Sequence, residues 1–247
     1  MPPAHKDHPG PDSFISTLLP TGGRLLLAVA SEKEASAVLR AVDPHAHTPP
    51  AWSLAPVGNR ADLVVTGVGK ANAAGAVART LDPSRHAGVM SVGICGSLPG
   101  GPPVGSVLIA SASVFADEGV ETMGAFLDCR EMGFPLAPGG SDRFSPPPAW
   151  RSALHALGDH EGVIATVSTC SGTDALAERV ASRSGAIAEA MEGAAVALAA
   201  ARVDPSIPFA ELRVVSNTTG DRERQRWELS GSLEALGRVL GRLLSSG

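Results

Sequence analysis

From Arg24 onward the chain alternates short apolar runs with amphipathic segments, and no other feature limits its possible folds so tightly. RLLLAVA, ADLVV, GVMSVGICG and SVLIASASVFA have strand length, while SEKEASAVLRAV and KANAAGAVARTL between them carry helical spacing. Such alternation predicts an α/β fold in which helices cover both faces of a sheet. A loop is expected over residues 133–148. Beyond it come a helix over 149–157, the strand VIATVST, an alanine-rich helix, the strand FAELRVVSN and a terminal helix GSLEALGRVLGRLLSS. Residues 1–22 are rich in Pro, Gly and His and lack periodicity, so a mobile tail is expected there, with a single domain over 23–247.

Composition narrows the possibilities further. Aromatic residues make up only 4% of the chain and Tyr is absent, so the core must be built from small aliphatic side chains packed closely. The formal net charge of −5 comes without a basic block, which argues against nucleic acid as a partner. No apolar stretch approaches the roughly 20 residues that span a bilayer, and the N-terminus has no charged-then-apolar signal layout. Cys95, Cys129 and Cys170 form no C-x-x-C pair, in keeping with a reducing compartment and a cytoplasmic location. The stretch HAH at His45 to His47 reads as a solvated loop, and no metal is expected.

The segment TGVGKANAAG follows the run ADLVV and looks like a phosphate-cradling loop. That chemistry needs a Ser or Thr after the lysine to hold magnesium, and Lys70 is followed by Ala71. The dinucleotide fingerprint fails as well, because its third glycine is displaced to Gly75. What remains is a tight strand-to-helix turn through Gly67 and Gly69.

Three polar residues stand where the pattern leads one to expect apolar or neutral ones. Glu34 completes S-x-x-E with Ser31, which reads either as a capping box or as a carboxylate at the C-terminal edge of the first strand, facing the ligand crevice. Glu192, read as part of the alanine-rich helix, shares a side with Ala195, Val196 and Ala199. It must therefore pair with an arginine or accept hydrogen bonds from a ligand. Asn217 ends the strand FAELRVVSN, where an amide either forms a turn or addresses a ligand edge.

Taken in order, AVASEKEASAVL, TGVGKANAAGA, SVGICGSLPGGPPVGSVLIAS, FADEGV, AMEGAAVALAA and RVVSN resemble the nucleoside phosphorylase and nucleosidase superfamily over nearly the whole chain after the tail. The resemblance implies a single domain with a central mixed β-sheet flanked by helices. It implies a purine nucleoside as ligand, no cofactor, and association into a homodimer or larger homo-oligomer. One phosphorylase branch has R-V-G-S-C-G where this chain has SVGICG, so Ser91 and Ile94 stand where a phosphate dianion would need a cation and a hydroxyl. Water is then the expected nucleophile, and Glu34 matches the general base of the nucleosidase branch.

Within that branch, adenine-cleaving members carry Ser-Asp where this chain has Ser216-Asn217. An amide can donate to O6 of a 6-oxopurine where a carboxylate would meet it acceptor to acceptor. The chain is in this respect similar to the futalosine hydrolase family of menaquinone biosynthesis, which releases hypoxanthine. The resemblance assigns catalytic roles to Glu34, Glu192 and Asn217, with Glu192 on the ribose hydroxyls. Cys95, Gly96 and Met191 line the sugar and base site. Asp117 is either a loop acid near the ligand or a turn former. A methylthioadenosine or adenosylhomocysteine nucleosidase, a phosphorylase and a non-catalytic nucleoside sensor stand as alternatives.

Overall fold

The structure, a computed structural model, describes residues 13–244, apart from the side chains of Ser13 and Pro138. Helix α1 (Ser13–Leu18) opens it, followed by β1 (Arg24–Val29), α2 (Glu32–Val42), β2 (Leu54–Val57), β3 (Ala61–Val65), α3 (Lys70–Thr80), β4 (His86–Ser97) and β5 (Val107–Phe115). The short strands β6 (Gly119–Glu121), β7 (Phe126–Asp128) and β8 (Arg143–Phe144) lead to α4 (Pro148–His155) and β9 (His160–Thr166). Then come α5 (Asp174–Ser184), β10 (Ala188–Ala190), α6 (Gly193–Val203), β11 (Phe209–Thr218) and α7 (Leu229–Leu244).

The main sheet runs β10-β9-β5-β11-β4-β1-β3-β2 and is mixed: β1, β3, β4 and β11 are mutually parallel, whereas β5 and β2 join antiparallel. Strand β10 also pairs antiparallel with the end of β4, so that half of the sheet closes on itself. Strand β1 shows how the apolar run is used. Leu25, Leu27 and Val29 enter one core with α2 and α7, while Leu26 and Ala28 enter the other with α3 and α6. A strand covered on both faces is apolar at every position, as RLLLAV nearly is.

Two expectations from the sequence need correction. Residues 1–12 lie outside the described residues, but residues 13–22 are not tail. Ile15, Leu18 and Leu19, spaced for one helix face, are buried in the core, and the Trp150 indole donates to the Leu18 carbonyl at 2.7 Å. The surrounding Pro and Gly hide this short apolar stripe. Likewise, Glu192 is not inside a helix: Ala188–Ala190 is strand, and Glu192 caps the start of α6 with a non-helical backbone. Alanine and glutamate are good helix formers, and pairing of β10 with β4 and β9 overrides that preference. Strand β2 and the β6–β7 hairpin carry too few periodic residues to be read from the sequence.

Candidate active site

The C-terminal ends of β1, β3 and β4, the start of α6 and the neighbouring stretch of β11 bring a group of ionisable and polar side chains together. At the end of β1, Ser31 caps α2 and Glu34 answers it, so the capping box is real. The Glu34 Oε2 accepts from the Ser31 backbone N at 2.9 Å and from its Oγ at 2.8 Å. The other oxygen turns inward and accepts from the Ile94 N of β4 at 2.9 Å. The two readings of Glu34 are therefore compatible: one carboxylate closes the helix and lines the cavity.

The close approach of Glu34 to β4 depends on Gly93. A Cβ there would sit 2.3 Å from the Glu34 Oε1 and 2.9 Å from the Arg213 Nη1. Glycine in SVGICG thus leaves the volume that the charged groups occupy.

Glu192 is held from two sides. Its Oε1 accepts from the Gly69 N at 3.1 Å, and its Oε2 lies 3.3 Å from the Arg213 Nη1. Gly69 sits at φ +93°, a conformation that L side chains rarely adopt, and caps α3 with its backbone alone. The loop TGVGK therefore does bind an anion, through its N–H at a helix start, but the anion is the protein's own carboxylate.

Arg213 is the group that motif spacing does not single out. Fully buried on β11, it gives its Nε to Glu211 at 2.8 Å, its Nη1 to Glu192 and its Nη2 to the Ser91 Oγ at 2.8 Å. Glu211 also accepts a short hydrogen bond from the Ser113 Oγ. A signal for it exists: in FAELRVVSN two charges stand two residues apart, hence on one face of an otherwise apolar strand. Ser91 does lack the cation found in the phosphorylase motif, yet a guanidinium from another strand comes to its hydroxyl.

One guanidinium thus pairs with Glu192 and Glu211 and acts on Glu34 through its charge. Burial raises the Glu34 carboxyl above its ordinary range, only partly opposed by the Arg213 charge and the Ile94 and Ser31 hydrogen bonds. Arg213 stays protonated, since the three carboxylates outweigh its burial. Burial in apolar surroundings pushes the Cys95 thiol up to about 12, so it acts as a small apolar wall and not as a nucleophile.

A cavity of about 340 Å³ opens beside this cluster, and Glu34, Cys95, Gly96, Met191, Glu192 and Asn217 all line it. The Asn217 amide is oriented by the chain itself: its Oδ1 accepts from the Ser216 Oγ and its Nδ2 donates to the Thr218 carbonyl, both at 2.9 Å. Asp117 stands outside this wall. It makes a short ion pair with Lys70 and accepts from the Ser168 N at 2.6 Å, which ties the loop after β5 to the start of α3 and to the loop after β9. A wider cavity of about 580 Å³, lined by Lys70, Phe115 and Leu198, adjoins the first through Val68 and Met191. His45 and His47 are exposed, and the described residues contain no His, Cys, Asp or Glu cluster suited to a metal. No described helix is long and apolar enough to cross a membrane.

Residues 25–246 match the Phosphorylase superfamily. The futalosine hydrolase of Streptomyces coelicolor is 39% identical over 228 residues, covering 89% of this chain and 94% of that protein. Among solved structures, the native futalosine hydrolase of Helicobacter pylori strain 26695 superposes with a TM-score of 0.71 at 17% identity, covering 90% of this chain and 97% of that one. The Streptococcus pneumoniae MTA/SAH nucleosidase in complex with 8-aminoadenine gives 0.71 at 20% identity, over 90% and 99%. With its mixed sheet, its carboxylates at the strand ends and a match along almost its whole length, this chain belongs to the phosphorylase superfamily.

Proposed function

We propose that this chain hydrolyses the N-glycosidic bond of futalosine, releasing hypoxanthine and leaving dehypoxanthine futalosine, a step of menaquinone biosynthesis in the cytoplasm. The observation that carries the proposal is the single cavity walled by Glu34, Glu192 and Asn217, with the nearby Arg213 already engaged by carboxylates. A phosphate dianion entering beside three glutamates would meet more negative than positive charge, whereas water carries no such penalty.

In the reaction, the bond between C1′ and N9 breaks and its electron pair leaves with the purine. A water oxygen bonds to C1′ and gives its proton to Glu34, whose raised carboxyl makes it a stronger base than an exposed glutamate. Glu192, fixed by the Gly69 N–H and by Arg213, accepts from the ribose hydroxyls and sets negative charge beside the cationic sugar. Asn217 donates hydrogen bonds towards O6 and N7 of the departing base and keeps its own protons; the purine takes its neutralising proton from solvent water, and Glu34 returns the proton of the attacking water to solvent. Met191 lies beneath the ribose, and Cys95 and Gly96 complete the sugar and base wall. Asp117 acts at one remove, by holding Lys70 at the neighbouring cavity. Association into a homodimer or larger homo-oligomer is part of the proposal, and sedimentation velocity tests it.

The deciding experiment incubates the protein with futalosine, inosine and methylthioadenosine, with and without phosphate, and identifies the base released. Hypoxanthine from futalosine without phosphate is expected. Adenine from methylthioadenosine in place of hypoxanthine, turnover only with phosphate, or binding without any product would overturn the proposal.

A further inference from the structure

Glu189 is a buried carboxylate for which the reaction as described has no task. It sits on β10 with 3% of its surface exposed, paired through the backbone with Gly96 of β4 on one side and Ala165 of β9 on the other. Its Oε1 accepts from the Ser171 N at 2.7 Å and its Oε2 from the Ser171 Oγ at 2.6 Å. Among the described residues these are its partners, and no cation forms an ion pair with it. A carboxylate has about four acceptor positions, so two remain open. Burial raises the Glu189 carboxyl above its ordinary range, only partly opposed by the Ser171 hydrogen bonds, so a further donor is what would hold it as an anion.

The residue borders ligand space on two sides. Glu189 lines the cavity that holds Glu34, and it also lines an adjoining one of about 340 Å³ bounded by Ser171, Gln225 and Trp227. Gly96 and Asn217 belong to both walls. A methyl group on Gly96 would lie 3.2 Å from the Asn217 Nδ2 and 3.7 Å from the Glu189 Cγ, so the amide and the carboxylate stem flank the same glycine. The Trp227 indole, half exposed, forms an apolar side of this corner. Its ring is steadied by the Arg222 guanidinium 4.9 Å from the centroid and by a hydrogen bond from its Nε1 to Gln225 at 3.1 Å.

The corner therefore brings the Asn217 amide and the Glu189 side chain around one glycine, beside an aromatic surface. The ligand edge that complements it carries an acceptor next to a ring N–H. A 6-oxopurine has that edge at O6 and N1–H. A 6-aminopurine has the reverse, a donor next to the bare nitrogen N1, which would face the carboxylate acceptor to acceptor. We infer that Glu189 accepts the N1–H of the purine while Asn217 donates to O6, and that this pair selects 6-oxopurine over 6-aminopurine nucleosides. The inference rests on the nucleosidase reading of the cavity and names the residue that reads the base.

Calorimetric titration of the wild type, Glu189→Gln and Glu189→Ala with hypoxanthine, 1-methylhypoxanthine and adenine tests it. A hydrogen bond to a charged partner predicts that the wild type binds hypoxanthine about 10- to 100-fold more tightly than the N1-methylated base. Glu189→Gln loses hypoxanthine affinity by a similar factor and gains on adenine, because its amide can donate to N1. Glu189→Ala binds the two hypoxanthines alike. A merely structural role would lower affinity for all three bases together and leave the ratios unchanged, which overturns the assignment. Should neither variant fold, a wild type that binds hypoxanthine and its N1-methyl form equally overturns it as well. Futalosine hydrolysis with unchanged base ratios defeats the Glu189 assignment alone. Absence of both hydrolysis and hypoxanthine binding defeats the nucleosidase reading first.

Discussion

The two ends of the parallel strands each bury a charge cluster, and the clusters are built on opposite balances. At the N-terminal end, Asp62 of β3 accepts from Arg24 Nε at 2.8 Å and from Arg85 Nη2 at 2.7 Å, and the His86 Nε2 lies 3.2 Å away. The His86 Nδ1 accepts from the Asp82 N, so the network assigns the proton to Nε2, which donates to Asp62. Burial would raise the Asp62 carboxyl, but the hydrogen bonds from Arg24 and Arg85 hold it down at about 2. At the C-terminal end one arginine pairs with Glu192 and Glu211 and reaches Glu34 only through its charge, and burial holds Glu34 up. One anion with surplus cations is satisfied and closed. Three anions with one cation leave acceptor capacity facing a cavity, which a substrate can use. In this sheet, charge balance separates a cluster that holds the fold from one that can do chemistry.

The sharpest way to break this comparison is Glu34→Gln. Hypoxanthine release should fall by about 10²- to 10⁴-fold at nearly unchanged substrate affinity, since the base is lost and the shape kept. Near-normal turnover would remove Glu34 from the base role. Arg213→Met should cost about 3–5 kcal/mol of stability by leaving buried glutamates unpaired, lowering Tm by roughly 10 °C. Without the cation the Glu34 carboxyl, already raised by burial, rises further, so this loss should shrink as pH falls. A deficit that is the same at acid and neutral pH would contradict the three-to-one balance.

Asp62→Asn should be gentler, costing about 2 kcal/mol at neutral pH. The sign follows from the depressed carboxyl: its stabilisation is present above the ordinary 3.8 and is lost as pH falls towards about 2. Acid unfolding of the variant should therefore lack the steep loss over that interval, and turnover should be spared. The smallest effect is expected in the pH profile. Because the Glu34 carboxyl is raised, activity should fall on its acid side at a pH above the ordinary 4.5. Glu192→Gln removes a neighbouring negative charge that helps raise it, so the remaining activity should lose its acid limb at lower pH. An unshifted limb would mean that the two carboxylates do not sense each other.

Much of this architecture is legible in the amino-acid sequence. The strand runs, the capping box at Ser31 and Glu34 and the turn at Gly69 all depend on neighbours within a few residues, so local pattern carries them. Glu34, Cys95, Gly96, Met191, Glu192 and Asn217, which share one cavity wall, are legible too, because they lie in motifs with recognisable spacing. The helix at residues 13–18 is not, because its apolar stripe is only one turn and a half long. Local propensity places Glu192 in a helix, whereas the pairing that makes β10 a strand comes from distant β4 and β9.

By itself, the sequence determined the alternation of elements, the apolar faces of β1 and the presence of carboxylates at strand ends, all of which follow from side-chain periodicity and local hydrogen bonding. Only the tertiary structure decided which charges meet. Glu34 and Arg213 are far apart along the chain and come together because parallel pairing sets β11 against β4 in register, Arg213 opposite Gly93. Gly69 reaches Glu192 across 123 residues, and Glu189 shares a corner with Asn217 because β10 folds back onto the end of β4. A buried charge is settled by whatever lies within a few ångströms, and strand register, not spacing in the chain, fixes what that is.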